Sequence, residues 1–334
     1  MNPLQNFVVD ISTIKTIGHD LQRPECILAE RNGALWVADA RGGLVHIASN
    51  GDQRLVLPDR IDGEKAGLSD GLTSGSLPNG LAFDTQGDII VANIGTDRVE
   101  LLKRNGESRV LFDQIEGKPL GKVNFVLRDS KGRLWVTIST MVNPWPNAVR
   151  NNLADGYIVL IDERGPRIVA DGLAFTNEVR LDAQESYLYV AETTAKRVSR
   201  FKVLDDGSLG PRETYGPASL GAGLIDGITF DAYGNLWCAM ILSDRIIAIT
   251  PDGDALTLMD EGDQPAIAEF EAAFSTGDIV PGEVMGKTGG VVATWITSMT
   301  FGGADLKTVY LGSLKKSTIP YFESPVAGLP MIHW

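Results

Sequence analysis

Basic residues are scarce relative to acidic ones. The 334-residue chain carries 30 Lys and Arg against 43 Asp and Glu, a formal net charge of −13. A nucleic-acid binder needs a basic footprint, and an anionic membrane surface recruits basic segments. Neither partner is expected here. Cysteine is equally sparse. Cys26 and Cys238 stand far apart, as befits a protein with two reduced, buried thiols. The three histidines, His19, His46 and His333, show no paired spacing, which argues against a His-rich zinc centre. No G-x-S-x-G occurs and no histidine is placed for a triad, so nucleophilic serine catalysis is disfavoured.

Long apolar runs are missing too. No window approaches 18 continuous apolar residues, so no transmembrane helix is expected. The first twenty residues lack a basic stretch followed by an apolar core, which predicts no secretory signal and a cytoplasmic protein. No long stretch with helical period is evident either.

What the chain has is repetition. Six segments share one grammar: residues 24–38, PNGLAFDTQGDIIVAN at 78–93, KVNFVLRDSKGRLWVT at 122–137, FTNEVRLDAQESYLYVAE at 175–192, IDGITFDAYGNLWCA at 225–239 and ITSMTFGGADLKTVYLGS at 296–313. A polar residue opens a short apolar strand, an Asp/Gly/Asn turn follows, and a second strand ends in Leu-Trp-Val or a relative of it. Further short β-branched runs follow in most units. This is the signature of strands and hairpins. Units of roughly 45–55 residues predict an all-β, six-bladed β-propeller of four-stranded blades. A β-sandwich would not need the same phrase six times. The segment from Phe7 to Ile17 is predicted to pair into the last blade and close the ring, leaving no open edge. The whole chain, 1–334, reads as one propeller domain with loop insertions at about 141–155 and 261–294. Trp36, Trp135 and Trp237 are expected to pack between blades.

Aligned on the second strand, the units place one position in register. Glu25, Asn79, Asn124 and Asp226 each lie ten residues before it, Asn177 eleven, and Thr297 or Ser298 falls in the matching place of the sixth. The first strand of each propeller blade lines the central channel, so these side chains should converge on the axis. Such a ring offers hard oxygen donors, the chemistry Ca²⁺ prefers. Taken singly, each of these residues is an ordinary turn former.

At these residues the sequence resembles the SMP-30/gluconolactonase/luciferin-regenerating-enzyme-like family, across roughly residues 15 to 323. The resemblance implies a six-bladed propeller with one catalytic divalent cation on the axis. Carried over residue by residue, it implies Glu25, Asn124, Asn177 and Asp226 as metal ligands, with Ca²⁺ ahead of Mg²⁺, Mn²⁺ and Zn²⁺. It also places Asn79 near the metal or substrate and Lys122 where similar proteins hold substrate with a cation. The neighbours depart from the family pattern. Cys26, Phe125 and Glu178 replace Gly, Asp and Gly, and Phe125 is expected to make the pocket more apolar than that of an aldonolactonase. Trp145, in the proline-flanked insertion, is a further candidate substrate contact.

The expected activity is metal-dependent opening of a lactone by water, a carboxylic ester hydrolysis. Asp226 is the candidate general base and Glu25 the second choice. Two alternatives stay open. One is hydrolysis of organophosphates or aryl esters on the same metal. The other is a non-catalytic propeller that binds a ligand or partner.

Overall fold

Short, nearly continuous apolar runs such as LWVAD, IIVAN and RIIAI become strands because their β-branched and aromatic side chains pack on both faces of a buried sheet. The computed structural model describes residues 1–59, 71–73 and 75–334. Among these it forms six four-stranded antiparallel sheets and one two-stranded ribbon. Blade one starts at Ile27–Ala29, blade two at Pro78–Phe83, blade three at Val123–Arg128, blade four at Thr176–Leu181, blade five at Leu224–Phe230 and blade six at Ile296–Gly302. Each of these innermost strands touches those of both neighbouring blades, and blade six touches blade one, so the ring is closed.

The repeated turns do more than reverse the chain. The Asp129 carboxylate accepts from the backbone N–H groups of Lys131 and Arg133 and from the indole Nε1 of Trp135 at 2.9 Å. Asp231 does the same for Tyr233, Gly234, Asn235 and Trp237. In blade one, Glu30 receives the Trp36 indole. All three tryptophans are fully buried. Each one therefore packs in the core and also anchors its blade's hairpin turn.

The ring closes at the N-terminus by a shorter strand than the sequence predicts. Only Lys15–Ile17 pairs, antiparallel to Ile319–Glu323. Before it, Asp10 caps a 3₁₀ turn over Ile11–Thr13, and Val9 donates to the carbonyl of Leu258. The Phe7 ring lies 6.5 Å from that of Trp237. The first half of the segment is thus a strap across blades five and six.

The sequence reading found no helical period, and here the structure differs. The helix α1 spans Gln264–Ser275, capped by the Asp263 carboxylate on the Ala266 N–H, with Pro265 in its first turn. Its buried face is Ile267, Phe270 and Phe274, at i, i+3 and i+7. A second helix, α2, covers Gly282–Lys287 and packs on α1. Both cysteines are free and buried. No helix among the described residues is long and apolar enough to cross a membrane.

The C-terminal segment covers one end of the channel. Ala232 donates to the Ala327 carbonyl, Leu329 to that of Phe230 and Gly328 to that of Leu306. His333 Nε2 donates to the carbonyl of Ala29 at 2.9 Å. The tail thereby ties blades five, six and one together.

Candidate active site

Five of the six innermost strands carry a β-bulge at the position singled out by the alignment. The register shifts between Pro78 and Leu81, Val123 and Phe125, Thr176 and Val179, Ile225 and Ile228, and Ile296 and Met299. A bulge re-aims a side chain locally, and bulges concentrate beside active sites. Close approach of neighbouring blades accompanies them. A Cβ on Gly227 would meet the Thr297 carbonyl oxygen at 2.4 Å, and one on Gly80 would meet the Phe125 Cα at 2.5 Å. Glycine after Asp226 and after Asn79 lets the inner strands close around the axis.

Asn79, Asn124, Asn177 and Asp226 lie in these bulges and, with Glu25 just ahead of the regular inner strand of blade one, line one cavity of about 150 Å³. Glu25, Asn124, Asn177 and Asp226 are only 3–7% exposed. Three of their oxygens, Glu25 Oε2, Asn124 Oδ1 and Asn177 Oδ1, have no hydrogen-bond partner among the described residues. Buried polar atoms are normally paired, so three orphans on one cavity call for a ligand. The donor set is all oxygen, with two carboxylates and two amides. It fits a hard divalent cation and would suit a soft one poorly. No cluster of three His, Cys, Asp or Glu side chains forms a metal site among the described residues, so the amides have to complete any such centre.

Electrostatics point the same way. Burial pushes the Glu25 carboxyl up to about 8; the nearby Arg23 opposes this and the charge of Glu178 adds to it. Burial also drives Asp226 well above the carboxylate range, reinforced by repulsion from Glu25 and Glu178 and opposed by Asn177 and Arg23. The two carboxyls are crowded and dry, a state that a bound cation relieves.

The neighbours orient this ring. Asn177 Nδ2 donates to Thr193 Oγ1 at 3.2 Å, which leaves Oδ1 facing the cavity. Asn79 gives its amide hydrogens to Glu25 Oε1 and to the Asn124 carbonyl. Its Oδ1 accepts from Arg23 Nη2 at 2.6 Å. The Asn79 oxygen is thus occupied. Arg23 was not singled out from the sequence. It lies before blade one in a left-handed conformation, with φ of 54°, outside any repeated phrase. Only its position two residues before Glu25 could have marked it. Thr297 and Ser298 stay out of the ring, because both hydroxyls donate to the Glu25 carbonyl.

Two expected substrate contacts lie elsewhere. Lys122 is buried, with Nζ 3.1 Å from Asp97 Oδ1, and does not line the cavity. Phe125 packs beneath the Arg180 guanidinium, 4.5 Å from the ring centroid, in a separate small cavity with Cys26 and the C-terminal tail. As the next residue along the strand, Phe125 turns its side chain to the face opposite that of Asn124. Glu178 is likewise below the ring, bonded to Arg180 at 2.8 Å and to the Ile228 N–H. Trp145 does line the cavity, 6.1 Å from the Phe175 ring. The helix α2 adds Gly282 and Met285 to the walls.

Comparison with known proteins follows this geometry. The family of SMP-30/gluconolactonase/LRE-like regions matches residues 23–276. A 6-deoxy-6-sulfogluconolactonase from Pseudomonas putida is 24% identical over 238 residues, covering 70% of this chain and 67% of the relative. The chain spans about two thirds of the length of the first curated relatives it matches. Among solved structures, a gluconolactonase from Xanthomonas campestris superposes with a TM-score of 0.66 at 17% identity, over 95% of this chain and 89% of that one. The calcium-binding protein regucalcin from Agrobacterium tumefaciens gives 0.66 at 14%, over 95% and 96%. At these identities the structures speak for the fold alone. The family match covers most of the chain and includes every residue of the ring, and the protein belongs to the SMP-30/gluconolactonase/LRE-like family.

Proposed function

We propose that the chain is a carboxylic ester hydrolase that opens a lactone at a divalent cation held by Glu25, Asn124, Asn177 and Asp226. The observation that carries this reading is the set of three partnerless buried oxygens facing one cavity beside Asp226. Its gluconolactonase relatives support it, and its likeness to the calcium-binding protein regucalcin favours Ca²⁺ over Mg²⁺, Mn²⁺ or Zn²⁺. When bound, such a cation supplies Lewis-acid polarisation of the ester carbonyl.

The chain's own residues do the rest. Asp226 takes a proton from the attacking water as the new C–O bond forms, and returns it to the ring oxygen as the lactone C–O bond breaks. Glu25 keeps its orientation through Asn79 and is the second candidate for that proton. The Thr193 hydroxyl holds the Asn177 amide with its oxygen toward the cavity. The walls, from Trp145, Phe175 and Trp295 among others, exclude bulk water. The free buried thiols and the net negative charge are in keeping with a cytoplasmic enzyme acting on a small molecule, without nucleic acid or membrane as partner.

The test is hydrolysis of a lactone panel by metal-stripped protein with Ca²⁺, Mg²⁺, Mn²⁺ or Zn²⁺ restored singly, beside Asp226→Ala. Restored ring opening that the variant lacks is the expected result. Tight cation binding without turnover of lactones, esters or phosphotriesters would leave a ligand-binding propeller. Faster turnover of phosphotriesters or aryl esters than of lactones would assign the same site to the second activity, which the apolar walls favour.

A further inference from the structure

We infer that the lactone accepted by this site carries a compact apolar group, alkyl or aryl, and is not a polyhydroxylated sugar lactone. The inference rests on the hydrolase reading above and adds the class of substrate.

The cavity has two unlike parts. Its floor holds the ring residues with Arg23 and Asn79, and its walls are apolar. Trp145, Phe175, Met285, Trp295, Leu314 and Leu242 are representative. Among the described wall residues only Thr193 brings a side-chain hydroxyl, and that hydroxyl already receives the Asn177 amide. The two tryptophans have polar edges, but both are committed elsewhere. Trp145 Nε1 donates to the Leu72 carbonyl at 2.8 Å, and Trp295 Nε1 to the Thr288 carbonyl at 3.0 Å. Each indole therefore shows the cavity carbon and not N–H. The Arg23 guanidinium, the one cation on the floor among the described residues, spends Nη1 on the Pro78 carbonyl and Nη2 on Asn79, and only its buried Nε is left without a partner.

A sugar lactone would bring several hydroxyls into this space. Those that lie against the apolar walls would leave water without a protein partner, each at roughly a five- to hundredfold loss in effective binding. An apolar substituent loses nothing of that kind and gains by leaving water. Size sets a bound: the cavity is about 150 Å³ in all, polar floor included, so the substituent has to be compact.

The walls are also built to last. Trp145, Met285, Trp295 and Leu314 pack on one apolar cluster that includes Phe270 and Phe274 of α1. The helical insertion thus shapes the apolar half of the site, and the bulged inner strands make the polar half.

The experiment compares kcat/KM for γ-heptalactone, dihydrocoumarin and D-glucono-1,5-lactone, each with the cation that supports turnover. Met285→Gln, which keeps the side-chain length and adds an amide to the wall, is measured alongside. The expected result is a preference of about a hundredfold or more for the two apolar lactones. Met285→Gln should cut that preference by about tenfold, with unchanged cation affinity and circular dichroism. Equal or faster turnover of gluconolactone overturns the inference and leaves the lactonase reading standing. If no lactone is opened with any cation, the lactonase reading falls. Calorimetric binding of 6-propyl-2-piperidinone against D-gluconolactam then decides the inference: tighter binding of the alkyl lactam sustains an apolar ligand, and equal or weaker binding overturns it.

Discussion

Asn79 holds Glu25 by a 3.2 Å bond from Nδ2 to Oε1, and this bond leaves Oε2 as the atom without a partner. The amide oxygen of Asn79 is in turn held by Arg23. One asparagine therefore joins a buried cation to a buried carboxylate and fixes which carboxylate oxygen remains available. Asn79→Ala should loosen Glu25 and strand Arg23. Residues that orient metal ligands typically contribute 10- to 100-fold in affinity or activity. Titration of Ca²⁺ by calorimetry should show a loss of about that size. Unchanged affinity would mean that Glu25 needs no such support.

Asp226 and Glu25 have different assigned duties, and substitution separates them. Asp226→Asn keeps an oxygen donor but cannot accept the water proton. Its kcat should fall by about 10²- to 10⁴-fold, with cation binding weakened and still measurable. Glu25→Gln should act mainly on cation affinity, with kcat largely recovered at saturating Ca²⁺. Reversal of these two patterns in steady-state kinetics would move the proton-accepting role to Glu25.

Gly227 is a stability element of the ring as well as the neighbour of Asp226. An added methyl there meets backbone on the next blade, at 2.4 Å from the Thr297 oxygen and 2.7 Å from the Ser298 Cα. Backbone cannot step aside as a flexible side chain does. Gly227→Ala should destabilise the fold by about 1–3 kcal/mol, read as a lower denaturation midpoint. Gly286→Ala in α2 is the control. Nothing lies within 4 Å of its new Cβ, and removing a helical glycine should stabilise by about 0.5–1 kcal/mol.

These sites show which parts of the protein could be read from its sequence. The blades could, because each hairpin repeats one length and one turn chemistry. The constant ten-residue offset then carried Glu25, Asn124 and Asp226 to one cavity, and Asn177 joined them with one residue more. Side-chain direction beside the ring could as well. Phe125 and Glu178, each next to a ring asparagine, face away from the cavity, as adjacent residues of a strand do, and the sequence reading did not apply that alternation beside the ring. The offset of Lys122 gave no hint that Asp97 would take its charge. Of the apolar walls, Trp145, Met285 and Trp295 come from segments outside the repeated phrases, so no internal comparison reveals them. The cap-and-period signal of α1, Asp263 followed by Ile267, Phe270 and Phe274, was present in the chain. It was hidden in a segment read only as an interruption of the strand grammar.

The C-terminal tail gives the fold a pH dependence of definite sign. Burial holds His333 below the usual imidazole range; Arg128 adds to this, and Glu30 and the bond to Ala29 oppose it. Its ring packs edge-on against Phe83 at 4.7 Å. With a lowered folded-state value, the unfolded chain binds the proton more readily. Stability contributed here is present above about pH 6.5 and is lost as pH falls through the folded-state value. Asp244 slopes the other way. Burial raises its carboxyl to about 6, so its contribution is greatest below about pH 4 and declines as pH rises towards 6. The thermal midpoint of the wild type, taken relative to that of His333→Gln, should therefore fall between pH 7 and the folded-state value of His333. Hydrogen-exchange protection factors at residues 327–334, corrected for the intrinsic rate at each pH, should fall over the same interval. A midpoint difference between the two proteins that does not change with pH would show that protonation of His333 is not what loosens the tail.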